Sequence, residues 1–172
     1  QTYSSKLSEF IFIDDHSEDQ TPLILKNVAR NDKRFHVVGL SDDQAGKKAA
    51  LRKGVEIASG EFILTTDADC RLPETWISEY IGFYARHQSK LILAPVKIIG
   101  VGFFSAVQQL EMLSLMGSTA GSAGIGKPIM SNAANMGFVK QVFAETDLKT
   151  AVPTGDDVFL LEHVKKHYPG EI

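Results

Sequence analysis

Two aspartates stand one residue apart at the end of an apolar run, a spacing that suits metal chemistry. The stretch is LTTDADCRLP, in which Asp67 and Asp69 follow the buried-looking EFILTT. A second apolar run, EFIFI, leads into Asp14 and Asp15. Like charges this close repel each other unless a cation lies among them, and Mg²⁺ and Mn²⁺ prefer carboxylate oxygens. The pattern predicts that three or four carboxylates converge on one edge of the sheet, where the pair Asp67 and Asp69 holds a divalent metal and the metal holds a phosphate. The alternative is that Asp67 caps a turn and Asp69 leads into the next helix.

Four short apolar runs predict the strands that position these acids. The runs are continuous rather than alternating, which is typical of parallel strands covered on both faces. Helical patterns lie between them: one ends at Gly60, and another starts at Pro73. This alternation predicts a doubly wound α/β fold, which binds ligands beyond the carboxyl ends of its strands. The four runs are EFIFI (9–13), FHVVGL (35–40), EFILTT (61–66) and KLILAPV (90–96).

Length, charge and composition narrow the classes of function. The 172 residues, 44% of them hydrophobic, predict a single domain over 1–172. The net charge of −3 lacks a basic footprint, so we expect no nucleic-acid partner. Cys70 is the one cysteine, which excludes an intrachain disulfide. Polar residues interrupt the apolar stretch 101–126, which predicts an amphipathic helix and then a loop of small residues over 117–126, a candidate lid.

Longer stretches of the chain resemble glycosyltransferase family 2, the inverting enzymes of the GT-A fold. They are EFIFIDDHSEDQT and the more specific GKKAALRKGVEIASGEFILTTDADCRLPETW, followed by NAANMGFVKQVF and TGDDVFLLEHVKK. The likeness covers nearly the whole chain and is close to membrane-associated bacterial members. It implies an α/β GT-A fold of nucleotide-diphospho-sugar transferases, with a mostly parallel sheet and helices on both faces. We expect a catalytic-domain fragment, truncated at both ends and lacking the family's first strand.

The resemblance assigns donor and metal roles by position. Asp14 and Asp15 are expected to contact the nucleotide base of the donor. Lys47 is expected near the nucleotide. Asp67 matches the acid nearer the ribose and the metal, and Asp69 matches the direct metal ligand, with Mg²⁺ or Mn²⁺ as the cofactor.

The remaining roles concern the catalytic base and the acceptor. Asp157 matches the base, and Asp156 matches a family Glu, one methylene longer. Both acids also suit the N-terminus of a helix, which they would cap. Asn135 and its neighbour Ala134 are expected to contact the acceptor or the sugar. Lys48, beside Lys47, is expected to be solvated.

The resemblance implies transfer of a sugar, from a UDP-sugar in preference, to a carbohydrate or lipid-linked acceptor. The metal would neutralise the leaving diphosphate, and a carboxylate would take the proton of the acceptor hydroxyl. We expect the full-length protein at the cytoplasmic face of the bacterial inner membrane, attached through segments outside this chain. The chain alone is expected to be soluble and to have reduced or no activity.

Two other classes share parts of this pattern. A nucleotidyltransferase has a related fold, but it needs a glycine-rich basic loop after its first strand, which this sequence lacks. A response-regulator receiver has stretches like IDDHSED, DCRLP and GKP. However, the strand LILAPV ends without the hydroxyl that a receiver needs, and about 45 residues follow Lys127.

Overall fold

Five strands and six helices alternate along residues 1–147 and 155–172, the residues that this computed structural model describes. Each of the four apolar runs overlaps a strand, although the strand in the fourth run, Leu91–Leu93, is only three residues long. The elements are β1 (Phe10–Asp14), α1 (Thr21–Asn31), β2 (Phe35–Gly39), α2 (Gly46–Ile57), β3 (Phe62–Thr66), α3 (Trp76–His87), β4 (Leu91–Leu93), α4 (Phe103–Gly124), β5 (Asn135–Val139), α5 (Lys140–Glu145) and α6 (Asp156–His167).

The strands form one parallel pair and one antiparallel group of three. β1 pairs with β2 in parallel, as the continuous apolar runs predict. β5 lies between β3 and β4 and is antiparallel to both, which the sequence patterns did not indicate. Asn135, the first residue of β5, pairs with Thr66, the last residue of β3. The chain that leaves the end of β4 therefore returns to the same edge of the sheet before β5 begins. β5 must therefore run back along its neighbours.

β1 and β3 belong to separate sheets but are connected by side chains. The Glu9 carboxylate, just before β1, accepts hydrogen bonds from the Ser59 and Gly60 amides at 2.7 and 3.0 Å, just before β3. Helix α2 also lies against β1, since a Cβ on Gly54 would meet Ile13 at 3.6 Å. The expectation of a missing first strand stays a prediction.

Two apolar clusters stabilise this arrangement. The larger one joins β4 and β5 to α5 and α6, and Leu91, Phe138 and Leu160 in it are completely buried. The smaller one packs α3 on the sheet through Trp76 and Tyr80. Burial of each large apolar side chain contributes about 1.5–3 kcal/mol, so the clusters hold the carboxyl edge of the sheet in place.

The predicted loop over 117–126 is wrong, because α4 continues as a helix through Gly124. Hydroxyl groups in this stretch bond back to carbonyls one turn earlier. Ser118 donates to the Ser114 carbonyl at 3.0 Å, and Thr119 donates to the Leu115 carbonyl at 2.9 Å. Small polar residues that satisfy their own hydroxyls in this way are compatible with a helix.

Candidate functional site

Asp15, directly after β1, is bound to the first residue of α2. Its Oδ2 accepts a hydrogen bond from the Gly46 amide at 2.7 Å, and its Oδ1 lies 3.0 Å from Nδ1 of His16. These hydrogen bonds, that of His16 first, hold the pKa of Asp15 below its ordinary value. Gly46 has a φ of +87°, which a residue with a side chain rarely adopts. Asp15 is therefore an oriented anion at the N-terminus of α2.

Lys47 connects the same helix to the acidic pair after β3. Its Nζ lies 2.6 Å from Oδ1 of Asp67, and the two side chains are 60% and 40% exposed. Asp69 is exposed, and its Oδ1 is 3.9 Å from the Cys70 sulfur. An exposed ion pair contributes only about 0–1 kcal/mol, so Lys47 can exchange Asp67 for a phosphate at little cost.

The acids at this edge do not form a metal cage of protein atoms. Among residues 1–147 and 155–172, no group of three or more His, Cys, Asp or Glu side chains is placed to hold a metal. The prediction that Asp67 and Asp69 hold a metal together with a phosphate does not require such a cage, and it stays a prediction. Asp69 and the second oxygen of Asp67 fit an ion that takes its other ligands from a diphosphate and water.

Asp14, the last residue of β1, carries a buried oxygen. Its Oδ1 has no hydrogen-bond partner within the described part of the chain. Its backbone carbonyl accepts the Leu40 amide at 2.9 Å, which holds the residue in the sheet. A buried polar atom without a partner is costly, so it is a candidate for a contact with a ligand.

Lys48 and Asp156 form a buried ion pair between α2 and α6. The Lys48 Nζ lies 3.1 Å from the Asp156 Oδ1, in a geometry that does not make a hydrogen bond, and the side chains are 11% and 8% exposed. The ammonium also lies 5.2 Å from the ring centre of Phe159. The prediction that Lys48 is solvated is wrong. Successive residues of a helix point about 100° apart, so two adjacent lysines cannot both face one ligand.

Asp157 follows in the first turn of α6. Its Oδ1 accepts the Val158 amide at 2.9 Å, and its side chain is half-buried. Gly155, with a φ of +92°, precedes the helix. The positive end of the helix dipole favours the ionised form of both acids in this turn.

Asn135 lies beside the acidic pair but is already engaged in hydrogen bonds. It pairs with Thr66, the residue before Asp67. Its Oδ1 accepts Nε1 of Trp76 at 2.8 Å and the hydroxyl of Tyr80 at 2.9 Å. These contacts tie α3 to β5, and burial raises the pKa of Tyr80.

The amide nitrogen of Asn135 completes this network by donating to the Pro95 carbonyl at 2.8 Å. One amide hydrogen is left for an acceptor or a sugar. Ala134 is only 7% exposed, and its N–H donates to Asn132 at 2.9 Å. Their acceptor roles stay predictions, and the structural role of Asn135 is what sequence reasoning missed. The helical spacing of Trp76 and Tyr80 was the available signal, since it places both on one face of α3.

The family follows from comparison with known proteins. Residues 1–145 match the sequence profile of glycosyl transferase family 2. The chain belongs to this family. EpsH of Bacillus subtilis (strain 168), an inferred glycosyltransferase, is 39% identical over 61 residues, which are 36% of this chain and 17% of EpsH. The family membership confirms the glycosyltransferase interpretation and disfavours the nucleotidyltransferase and the receiver.

Solved glycosyltransferases share the GT-A fold of this family member. The mannosyltransferase PcManGT from Pyrobaculum calidifontis, in complex with GDP-Man and Mn²⁺, superposes with a TM-score of 0.69 at 17% identity, covering 98% of this chain. TarS 1-349 of S. aureus, in complex with UDP, gives 0.62 at 20% identity over 95% of this chain. The chain spans 46% and 47% of these two structures. At such identities the likeness shows the fold alone.

The family match leaves the predicted catalytic base untested. It ends at Glu145, whereas Asp156 and Asp157 begin α6. Their assignment therefore depends on the resemblance of TGDDVFLLEHVKK and on the geometry around α6. The residues between, 148–154, include part of that motif and lie outside the described residues.

Proposed function

We propose that this family 2 domain binds a nucleotide-diphosphate sugar and transfers the sugar with inversion. The observation that supports this function most is the first turn of α2. Three consecutive residues, 46–48, contact Asp15 after β1, Asp67 after β3 and Asp156 at the start of α6. One helix end therefore gathers the predicted donor, metal and base elements.

The donor would lie across the carboxyl edge of the sheet. The buried Oδ1 of Asp14 would accept an N–H of the nucleobase, and a uridine or guanosine base can donate one. PcManGT and TarS bind GDP-Man and UDP respectively, so both bases occur within this fold, and we favour UDP. Lys47 would leave Asp67 and pair with the diphosphate.

Asp69 and Asp67 would hold Mg²⁺ or Mn²⁺ together with the diphosphate. When bound, such an ion supplies Lewis-acid neutralisation of the leaving group. Because Asp69 is exposed and Asp67 keeps one oxygen clear of Lys47, the ligand set is compatible with this cation. PcManGT was solved with Mn²⁺, which agrees with this choice.

Asp157 would act as the general base for a single displacement. Its carboxylate would take the proton of the acceptor hydroxyl as that oxygen bonds to the anomeric carbon. The bond from the anomeric carbon to the diphosphate breaks at the same time, and the diphosphate leaves as an anion. Because attack and departure are on opposite faces, the sugar is inverted. The ionised state that a base requires is favoured at the N-terminus of α6.

The acceptor would approach between α6 and the start of β5. Asn135 would use its remaining amide hydrogen, and Ala134 would line the approach. The acceptor must supply the hydroxyl that attacks the anomeric carbon, and a carbohydrate or a lipid-linked carbohydrate can do so. For the whole protein we propose association with the membrane through segments outside this chain.

A thermal-shift titration tests the donor site. We expect UDP or a UDP-sugar with Mn²⁺ to stabilise the fold by about 2.7 kcal/mol at a hundred times its dissociation constant. Asp69→Asn should abolish the part of the shift that needs Mn²⁺, whereas the control Glu162→Gln on the exposed side of α6 should retain it. A melting temperature that responds to neither the nucleotide nor Mn²⁺ would contradict the proposal.

A further inference from the structure

Trp76 and Tyr80, one turn apart in α3, both reach the first residue of β5. The Trp76 indole N–H donates to Oδ1 of Asn135 at 2.8 Å, and the Tyr80 hydroxyl donates to the same oxygen at 2.9 Å. Trp76 and Tyr80 are 9% and 5% exposed, and their rings meet edge to face with centroids 5.7 Å apart. Packing in the core of α3 therefore holds both donors at the amide oxygen.

The hydrogen bonds around the Asn135 side chain allow one orientation of its amide. An indole N–H can only donate, so Trp76 requires the amide oxygen. The Pro95 carbonyl can only accept, and it takes one amide hydrogen at 2.8 Å. Rotating the amide by half a turn would set hydrogen against hydrogen at Trp76 and oxygen against oxygen at Pro95. The amide therefore presents its second hydrogen, and not its oxygen, to a ligand.

The backbone of Asn135 is fixed as well. Its N–H donates to the Asn132 carbonyl at 3.1 Å, and its carbonyl accepts the Ala94 amide at 3.2 Å. The Thr65 hydroxyl on β3 donates to the Ala133 carbonyl at 2.8 Å, which holds the residues before β5 against the neighbouring strand. Within residues 1–147 and 155–172, the second amide hydrogen is the one donor of Asn135 that has no partner.

The place of Asn135 along the sheet edge indicates what this hydrogen meets. Asn135 pairs with Thr66, which directly precedes Asp67. In the proposed function, the acids after β1 meet the nucleobase and the acids after β3 hold the diphosphate. β5 pairs with β3, whereas β1 pairs with β2 in the other sheet. Because a nucleotide-diphosphate sugar carries its sugar beyond the diphosphate, the start of β5 lies toward the end of the donor where transfer takes place.

We propose that Trp76 and Tyr80 are positioning residues, which fix the Asn135 amide as a hydrogen-bond donor to a carbohydrate hydroxyl oxygen. This inference rests on the proposed function and deepens it, because it names the chemistry that the start of β5 recognises. The oxygen belongs either to the transferred sugar or to the acceptor, and the experiment below separates these two sources. A ligand N–H in the same place would meet the amide hydrogen and be rejected.

Trp76 reports on this contact directly, since it is the only tryptophan of the chain. Its indole N–H gives a single cross-peak in a nitrogen–proton correlation spectrum. Hydrogen bonds in a chain polarise one another, so a ligand oxygen on the amide nitrogen strengthens the bond from the indole to the amide oxygen. The cross-peak should move downfield when the contact forms.

Two titrations in Mg²⁺ separate the sources of the oxygen. If it belongs to the transferred sugar, UDP-N-acetylglucosamine or GDP-mannose moves the Trp76 cross-peak, whereas UDP and GDP leave it in place. If it belongs to the acceptor, the cross-peak moves only when free N-acetylglucosamine or mannose is added to the protein with UDP bound. Either result supports the positioning role.

Tyr80→Phe tests the positioning role, because it removes one hydrogen bond to the amide oxygen and keeps the ring. It should weaken binding of the ligand that moves the cross-peak about threefold to tenfold, and change binding of UDP less than about twofold. Isothermal titration measures both affinities. Tyr84→Phe is the matched control on the same helix, where the Tyr84 ring packs on Phe62 with centroids 4.6 Å apart, and it should leave both affinities within about twofold of the parent.

Two outcomes would overturn the positioning role and leave the proposed function standing. One is a Trp76 cross-peak that neither the sugar nucleotides nor the added sugars move, although the nucleotide raises the melting temperature. The other is a Tyr80→Phe variant that loses affinity for UDP and for the sugar ligand alike, as a purely structural role predicts. If no nucleotide binds to the parent protein, the proposed function fails, and the positioning role fails with it.

Discussion

The ammonium of Lys48 lies 3.1 Å from the Asp156 carboxylate, and the two side chains are only 11% and 8% exposed. Its neighbour Lys47 makes a shorter pair with Asp67, at 2.6 Å, but with side chains 60% and 40% exposed. Burial, and not distance, distinguishes the two pairs. The buried pair connects α2 to the helix of the proposed base, while the exposed pair is available for exchange with a ligand.

We expect Lys48→Met to lower the free energy of unfolding by about 3 kcal/mol, because it leaves the Asp156 charge buried without that partner. Lys47→Met should change it by less than about 1 kcal/mol, since its pair is solvated. Urea unfolding of the two variants measures both values. Equal losses would show that burial of the Lys48 pair has no energetic consequence.

Lys47→Met should instead weaken binding of the nucleoside diphosphate about tenfold, because a charge-assisted contact with phosphate is lost. Isothermal titration with UDP and GDP in the presence of Mn²⁺ measures this change. Lys53→Met is the matched control, since Lys53 lies on the same helix and pairs with Glu56 at 3.1 Å. If both variants lose the same affinity, the effect is one of net charge.

Gly137→Ala should destabilise the protein by about 1–3 kcal/mol through overpacking. A Cβ at this position would lie 2.8 Å from the Tyr80 ring and 2.9 Å from a methyl of Leu64, in the packed layer between α3 and β5. Gly117→Ala in the exposed part of α4 meets nothing within 4 Å and should be neutral or gain up to about 1 kcal/mol. Thermal unfolding compares the two. A neutral Gly137→Ala would mean that Tyr80 moves freely.

Glu9 should make stability depend on pH. Burial acts to raise its pKa, but hydrogen bonds from the Ser59 hydroxyl and from the Ser59 and Gly60 amides outweigh it and hold the pKa below its ordinary value. A pKa lower in the folded than in the unfolded state contributes stability above the unfolded value, and this is lost as the pH falls through the folded one.

Glu9→Gln should therefore cost about 1 kcal/mol at neutral pH. This cost should shrink as the pH falls below the pKa of an unfolded glutamate and through the lower pKa of folded Glu9. Denaturant unfolding at several pH values measures the difference between parent and variant. Glu61→Gln, at an exposed position, should stay within about 0.5 kcal/mol of the parent at neutral pH. A Glu9 difference that is constant with pH would contradict the assignment.

Asp157→Asn should lower turnover by about 10²–10⁴-fold and leave nucleotide binding intact, as expected for a lost general base. Release of nucleoside diphosphate from the donor measures turnover, and the assay requires a form of the protein that is active. Asp156→Asn should differ by losing stability, because it removes the buried partner of Lys48. If Asp157→Asn retains full turnover, another group takes the proton.

The sequence alone determined four of the five strands in the described residues, the acids at their ends and the family. These features depend on neighbours along the chain: short apolar runs form strands wherever they pack, and the order of motifs around Asp67 and Asp69 identified glycosyl transferase family 2. Local patterns of this kind can be recognised without knowing which helices and strands pack against each other.

Tertiary structure alone decided how these elements meet. Lys48 and Asp156 are far apart in sequence, and only the packing of α2 on α6 buries one lysine and exposes the next. The reversal of β5, which brings Asn135 beside Thr66, likewise depends on a connection that returns to the same sheet edge. α4 likewise contains no buried residue, although its composition suits a buried helix as well. The spacing of apolar residues describes one helix or strand at a time, whereas the burial of a side chain depends on which two elements pack together.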